Sequence, residues 1–445
     1  MLTAQENDLL CRVEGEVPMG KLMRRHWIPA GLSEQLVVPD GNPVRLRILG
    51  EDLVAFRDTD GRLGVLGEQC PHRKASLFFG RNEECGLRCL YHGWKFDVEG
   101  NVLEMASEPP ESRFRQKVKH KAYPAREAGG FVWIYMGPPE QQPEFEAPAW
   151  APTPETRVSI ARIDVPCNWA QIMEGQIDSA HSSSLHSSDM LPAQVDTAKA
   201  EDTHWLRPST DKSPRIQVQL TNYGMRYAAI RQPIMNASTH DYVRITTYVA
   251  PFTALIPPNS SYNVASVIVP RDDTSSYFHF IAWSETGGID QDAWRKFCVA
   301  QVGVDLDGEY RPALRTAANN YLQDRKAMKR GDFTGIPGIP NQDIAMWVSM
   351  GAIADRSGER LGSSDVAVIQ LRRLMLAALH RFETTGHVIG FGERRVPQAK
   401  LRSYQGVVPK SENWRTLGAS EEEVALLGGM EQDEVEREMA GAFRT

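Results

Sequence analysis

The chain has 445 residues, 41% of them hydrophobic and 24% charged, with a formal net charge of -7 and a pI near 5.9. That length accommodates two or three domains, and the acidic balance speaks against a general nucleic-acid binder while leaving room for a local basic patch. No run approaches about eighteen uninterrupted apolar residues, and Met1 to Asp8 lacks a basic region followed by an apolar stretch, so the expected location is the cytoplasm with no membrane partner. Six cysteines in a chain this long do not make a secreted disulfide framework; clustered Cys and His in a reducing compartment point to metal.

In chain order, Asn7 to Ala30 reads as a helical opening segment, in which His26 has no partner at metal spacing and is read as structural. From about Asn42 short strands begin. Val44–Ile48 and Leu53–Phe56 are alternating or apolar, and Asp60-Gly61 is a hairpin signal before Leu63–Leu66. Two tight loops follow, Cys70-Pro-His72 and, sixteen residues after that histidine, Cys89-Leu-Tyr-His92. A Rieske cluster uses two thiolates on one iron and two neutral imidazoles on the other. A Cys2His2 zinc site takes the same ligand set, although zinc fingers pair two cysteines in one arm and two histidines in the other, and here each arm holds one of each. Cys85 is off-register and reads as a plain thiol; Pro71 stiffens the first loop, and Gly93-Trp94 turns the chain back after the second.

Pro138 to Pro154 reads as a linker. Beyond it, Glu174-Gly-Gln-Ile-Asp178-Ser-Ala-His181-Ser-Ser-Ser-Leu-His186 gathers two acids and two imidazoles. Spacings of four and three place Glu174, Asp178 and His181 on one helix face, whereas five further residues turn His186 roughly 140° away. One ion can engage both histidines only where the helix ends or loosens between them, and Ser182-Ser183-Ser184 is a poor helix-forming run. Two imidazoles with an added carboxylate suit divalent iron and leave positions open for oxygen chemistry. Asp178, three residues before His181, is placed to accept its imidazole N–H. Ile216–Leu220, Tyr242–Val249 and Tyr262–Val269 have strand character, a long helix is expected from Asp365 to His380, and the tail from Ser420 reads as an acidic helix broken at Gly428-Gly429.

Cys70-Pro-His72-Arg, Cys89-Leu-Tyr-His92-Gly-Trp, Gly130-Phe-Val-Trp-Ile-Tyr-Met-Gly137, Asn168-Trp and Asp178-x2-His181-x4-His186 together resemble the oxygenase component of Rieske non-haem iron aromatic-ring oxygenases, over nearly the whole chain. Within that family, Pro18–Pro29 and Gly351–Gly362 resemble oxygenases acting on phthalate, phenoxybenzoate and similar aromatic acids. The resemblance implies an α+β protein: a helical segment at 1–40, a small all-β Rieske [2Fe-2S] domain at 41–150, and a catalytic domain at 151–445 with a curved antiparallel sheet covered by helices. It implies cluster ligands Cys70, His72, Cys89 and His92, and one mononuclear Fe(II) on His181, His186 and a distant carboxylate. Asp343, in Pro340-Asn-Gln-Asp343, is the choice for that carboxylate; Asp355 and Asp365 are rivals with ordinary structural explanations, as a helix-dipole role would be for Asp343 itself. It further implies a ring of identical chains, a trimer or stacked trimers, in which Asp178 bridges to His92 of a neighbouring chain. Glu174 could support that bridge or cap the network.

The sequence holds no Gly-x-Gly-x-x-Gly fingerprint, so electrons from NADH are expected through a separate flavin/iron-sulfur reductase, with O2 as co-substrate. The expected reaction is cis-dihydroxylation of an aromatic carboxylate such as phthalate; monooxygenation, by ether cleavage or O-demethylation of an aromatic acid, is the alternative. An electron-transfer protein with the cluster alone, or a zinc-stabilised binding module, are readings from other classes. Arginine recognises carboxylates in a planar, two-pronged way. Alternation puts Tyr242, Arg244, Thr246 and Tyr248 on one strand face, making Arg244 the first substrate-binding candidate. Arg207 is second, Arg226 and Arg231 are weaker, and Ser179 offers a hydroxyl beside Asp178.

Overall fold

The computed structural model describes residues 2–200, 204–257, 262–392 and 395–427. The chain divides into two compact units, Val13–Phe145 and a second formed by Met1–Arg12 with Glu146–Thr445.

Val13–Phe145 is built from three antiparallel sheets. Val44–Ile48, Glu51–Arg57 and Leu63–Gly67 form one, with the expected hairpin at Asp60-Gly61. Arg81–Glu83, Gly86–Arg88, Trp94–Phe96 and Val102–Met105 form the second. The third corrects the expected helical opening. Ala4–Cys11 and Pro18–Met23 are helices, but Trp27–Leu32 is a strand paired with Phe131–Tyr135, which in turn pairs with Ala125–Ala128. Pro29 cannot continue a helix, because it lacks the N–H and its ring crowds the preceding turn; the ladder to Phe131–Tyr135 slips its register between Pro29 and Gly31. Val54, Phe56, Leu66, Leu77, Leu87, Trp94 and Phe96 close around Cys70 and Cys89, so both thiols are backed by the core of this unit.

In the larger unit an antiparallel sheet runs in the order Arg157–Val165, Ser275–Ser284, Asn263–Asp272, Thr253–Ile256, His240–Val249, Gly224–Arg231, Arg215–Thr221, and Tyr404–Pro409 also pairs with His240–Val249. The three strands expected here are all present. Helices Trp169–Ile177 and Val366–Thr385 pack with this sheet, and Ile339–Ser349 packs against Trp169–Ile177. Asn168 caps the first, accepting from the Ala170 N–H at 3.0 Å, while its amide donates to the carbonyls of Cys11 and Asp273 at 2.8 and 2.7 Å. The second helix carries Pro340 in its first turn, where no N–H is missed. Gln171 joins the two, donating to the carbonyls of Trp347 and Gly351 at 2.8 and 2.9 Å.

Helix Trp169–Ile177 ends earlier than spacing suggests. Asp178 is its C-cap in extended conformation, and His181–Ser183 is a separate 3-10 turn. Glu174, Asp178 and His181 therefore do not share one helix face. Glu174 is buried between Arg356 and Arg372, bonded to each through both carboxylate oxygens at 2.8 to 3.2 Å. Burial raises its carboxyl and the two guanidinium groups outweigh that, leaving it below its ordinary range. Its two carboxylate oxygens brace the helix against Arg356 and Arg372. At the C-terminus, Glu421–Leu427 is a helix anchored by Glu423, buried beside Arg226 and Tyr223; the expected break at Gly428-Gly429 lies outside the described residues.

Candidate active site

The two Cys/His loops share one backbone design. In the first, the Cys70 N–H donates to Ala75 O and Cys70 O accepts from the Lys74 N–H, at 2.8 and 2.9 Å; in the second, Cys89 relates to Trp94 and Gly93 in the same way, at 2.8 and 3.0 Å. Lys74 and Gly93, at equivalent places, both have positive φ, 62° and 72°. These turns bring His72 and His92 to a centroid separation of 4.4 Å, with His72 stacked on Trp94 at 4.6 Å. Burial pushes the Cys70 thiol up to about 11, aided by the neighbouring Cys89. His72 Nδ1 is buried without a hydrogen-bond partner among the described residues. Paired buried thiols and an orphaned imidazole nitrogen fit a Rieske cluster, which deprotonates the one and engages the other. Leu90 and Tyr91, within the second loop, are exposed, and Cys85 lies apart, its Sγ 3.4 Å from Asp60.

In the larger unit the 3-10 turn provides the loosening that the two histidines need. His181 Nε2 and His186 Nε2 are 3.2 Å apart, and Asp343 Oδ1 lies 3.6 and 3.1 Å from them. One atom from each residue falls within 4.8 Å of the others, a two-histidine, one-carboxylate set that fits divalent iron. Asp343 is the fifth residue of helix Ile339–Ser349, past the first turn where the helix dipole acts on an acid. The rivals stand elsewhere: Asp355 is exposed and bonded to Ser357, and Asp365 accepts from the Gly362 N–H.

Asp178 faces the outer side of His181, Oδ2 to Nδ1 3.5 Å, and its Oδ1 accepts from the Ala180 N–H at 2.8 Å. Burial disfavours both charges, and their mutual contact outweighs it: the Asp178 carboxyl is lowered and the His181 imidazole raised. His186 has a different partner, one that sequence reasoning missed. Its Nδ1 is 2.7 Å from Gln342 Oε1.

Above the three ligand candidates, a cavity is lined by Asp178, Ser179, Ser182, Tyr227, Arg244 and Thr246 among others. Strand register explains the lining. Tyr227 opposes Thr246, Ala229 opposes Arg244 and Arg231 opposes Tyr242, so these side chains share a face, while Ala228, Ile230, Val243 and Ile245 pack behind against Trp414. Tyr248, on the expected alternation, continues away to Met375. Arg244 donates to Gln405 Oε1 at 2.9 Å and to the Tyr242 hydroxyl at 3.3 Å. Arg207, at the end of a small separate sheet, reaches the Ser182 hydroxyl at 3.5 Å. Among the described residues, the Arg231 guanidinium hydrogen-bonds the turn that carries His181: Ser179 O at 2.7 Å, and the hydroxyls of Ser179 and Ser183 at 3.3 Å each.

All three guanidinium groups are buried, and among the described residues none pairs with a carboxylate. Burial and the neighbouring Arg244 push Arg207 down to about 10; burial, Arg244 and Arg207 do the same to Arg231. Arg226 is elsewhere, bonded to Glu423 and to the carbonyls of Arg415 and Leu417.

Comparison with known proteins agrees with both halves. Residues 26–123 match the Rieske [2Fe-2S] domain and residues 134–437 the LigXa C-terminal domain like family. The chain is 62% identical over 420 residues to the phthalate 4,5-dioxygenase oxygenase subunit of Pseudomonas putida, covering 94% of this chain and 95% of that one. It is 37% identical over 431 residues to the 3-chlorobenzoate-3,4-dioxygenase oxygenase subunit of Comamonas testosteroni, covering 94% and 98%. A caffeine-bound NdmA variant of Pseudomonas putida CBB5 shares the fold, with a TM-score of 0.59 at 16% identity over 85% of this chain and 99% of that one. These matches set aside the zinc module and the cluster-only electron carrier. Among the described residues no helix is long and apolar enough to cross a membrane. With a Rieske domain, a LigXa-like catalytic domain and close identity to oxygenase subunits along its length, the chain belongs to the Rieske non-haem iron aromatic-ring oxygenases, enzymes with a [2Fe-2S] cluster and a mononuclear iron.

Proposed function

We propose that this chain is the oxygenase component that cis-dihydroxylates an aromatic dicarboxylate of the phthalate type, with O2 as co-substrate and electrons from NADH delivered by a separate reductase. Cys70, Cys89, His72 and His92 hold the cluster. His181, His186 and Asp343 hold the iron, which when bound supplies the place where dioxygen is reduced beside the ring. The observation that carries the substrate class is Arg244 lining the cavity beside that donor set, with buried Arg207 and Arg231 bonded to the serines of the adjoining turn and, among the described residues, no carboxylate paired with any of the three. Buried charge without a counter-charge is costly, and a substrate with two adjacent carboxylates offsets it where a neutral ether or phenol does not.

Arg244 and Arg207 take one carboxylate each, with the hydroxyls of Ser179 and Ser182 as further donors. Ser182 already faces Arg207, so an anion there inserts into an existing polar contact. Arg231 stays on the turn and adds charge without touching substrate. Phe278 and Phe280 supply an apolar wall for the ring and exclude water.

Electrons reach the iron between chains of a homo-oligomer, a trimer or stacked trimers, from His92 of one chain to Asp178 of the next. Asp178 keeps about a quarter of its side chain exposed while contacting His181, as a residue at a subunit boundary must. The test is oxygen-consuming turnover of the iron-loaded protein with reductase and NADH on phthalate, benzoate, 3-phenoxybenzoate and a methoxybenzoate, with products identified by mass. Phthalate is expected to gain both oxygen atoms and two hydrogens. Ether cleavage or demethylation with no phthalate product would overturn the dicarboxylate reading and leave the iron architecture standing.

A further inference from the structure

The two imidazoles of the iron site are oriented by different devices. His181, about a quarter exposed, faces the Asp178 carboxylate. His186 is 3% exposed, and the partner of its outer nitrogen, Nδ1, among the described residues is a neutral amide, Gln342 Oε1, at 2.7 Å.

We propose that Gln342 is the positioning residue that holds His186 in its metal-facing tautomer, and that Asp189 fixes the direction of the Gln342 amide. This rests on the reading of His181, His186 and Asp343 as the iron holder. A glutamine amide has one face that accepts and one that donates. The Nε2 of Gln342 is 2.8 Å from Asp189 Oδ2 and 2.9 Å from the Ile336 carbonyl. The Ile336 carbonyl can only accept, so the NH2 points there and Oε1 is left for His186. A carbonyl oxygen cannot donate, so Nδ1 carries the proton and the Nε2 lone pair faces Asp343, 3.1 Å away. Flipping the amide would oppose two donors at Nδ1 and leave Oε1 against two acceptors.

Helix geometry gives the arrangement economy. Gln342 and Asp343 are consecutive and diverge by about 100° around the helix axis. Asp343 reaches the Nε2 side of His186 and Gln342 bonds the Nδ1 side, so one turn of helix flanks the ring at both nitrogens. Gln342 is itself 2% exposed, and water does not compete for its bonds.

The test uses full-length protein with its Rieske cluster, stripped of mononuclear iron and titrated anaerobically with Fe(II) against a competing chelator. Cluster absorbance and the melting temperature of the iron-free form are measured alongside. Gln342→Ala is expected to weaken Fe(II) binding about 10- to 100-fold, the range for losing such a partner, with the other two readouts unchanged. The double variant Gln342→Glu with Asp189→Asn rebuilds an acceptor opposite Nδ1 and a donor behind it, while setting a carboxylate oxygen against the Ile336 carbonyl, and is expected to recover part of the affinity. His186→Ala serves as reference. Wild-type affinity in Gln342→Ala, when His186→Ala has lost the iron, overturns the proposal. A fall in iron-free melting with no recovery in the double variant also overturns it, showing a packing role only. Retention of iron by His186→Ala would instead overturn the underlying assignment of the site.

Discussion

Arg207, Arg231 and Arg244 are the residues at which buried charge and the proposed function are most closely joined. Folding depresses Arg207 and Arg231 from their ordinary value to about 10, chiefly through burial, so the protonated forms present at neutral pH oppose folding. That cost is fully present below about 10 and is relieved as pH rises beyond it toward the unfolded value. A bound dianion offsets the same cost. Phthalate is therefore expected to raise the melting temperature at neutral pH by more than benzoate does. Arg244→Gln removes a charged hydrogen bond of about 1.5 to 3 kcal/mol, so the KM for phthalate should rise about 10- to 100-fold. The effect on benzoate should be smaller, and an equal effect would show that Arg244 does not discriminate a second carboxylate. Steady-state kinetics on both acids, with the cluster spectrum as control, decides the point.

At the scale of elements, the iron site depends on how closely helix Trp169–Ile177 approaches helix Ile339–Ser349. Gly175 permits that approach: a Cβ added there would lie 2.2 Å from Trp347 Nε1 and 2.8 Å from Cε2, atoms of a fixed ring. Helix propensity alone favours alanine over glycine by about 1 kcal/mol. Overpacking costs about 1 to 3 kcal/mol and acts on a residue four positions from Asp343. Packing is expected to win, so Gly175→Ala should lower the melting temperature and loosen mononuclear iron while the cluster spectrum stays intact; a stabilised protein would show that Trp347 yields easily. This dependence also marks what the sequence could reveal. The Cys/His loops were legible because each is local and spacing alone sets its geometry. His181 and His186 were legible as a pair only on the condition that the helix loosens between them, which the poor helix-forming run Ser182-Ser183-Ser184 made readable. The end of the helix at Ile177 was not, since spacing alone carries the periodicity through Asp178 to His181, and the capping geometry at Asp178 appears only with the turn that follows. Asp343 came from resemblance, being more than 150 residues from either histidine. Gln342 had no signal and Arg231 stood only as a weaker substrate candidate, because a neutral amide and one arginine among many acquire meaning only from the side chains they meet. Glu174 had the right spacing for one role and took another, once Arg356 and Arg372 arrived from distant segments.

For the whole molecule, the chain opens in one unit, builds the other and returns. Met1–Arg12 belongs with Glu146–Thr445, and all of Val13–Phe145 intervenes. The Rieske unit is thus an insertion tethered at both ends, and each chain carries one complete set of both kinds of ligand candidates. Passage of electrons between chains makes a demand that passage within a chain does not: the cluster of one chain must serve the iron of another. Two inactive variants separate these cases. Cys89→Ser removes the cluster and keeps His181, His186 and Asp343; Asp343→Ala removes a ligand of the iron and keeps the cluster. Each alone should be inactive, with the surviving centre verified by absorbance or iron content. Co-expressed in equal amounts and assembled together, they should recover roughly a quarter of wild-type turnover, because in a closed ring each directed neighbour contact is productive in one of four random pairings. If electrons stayed within a chain, no mixed oligomer would contain a working pair, and turnover would remain at background however the chains were combined. Recovery that appears on co-assembly, and is absent when the separately purified variants are only mixed, would assign the route to the subunit boundary where Asp178 is proposed to stand.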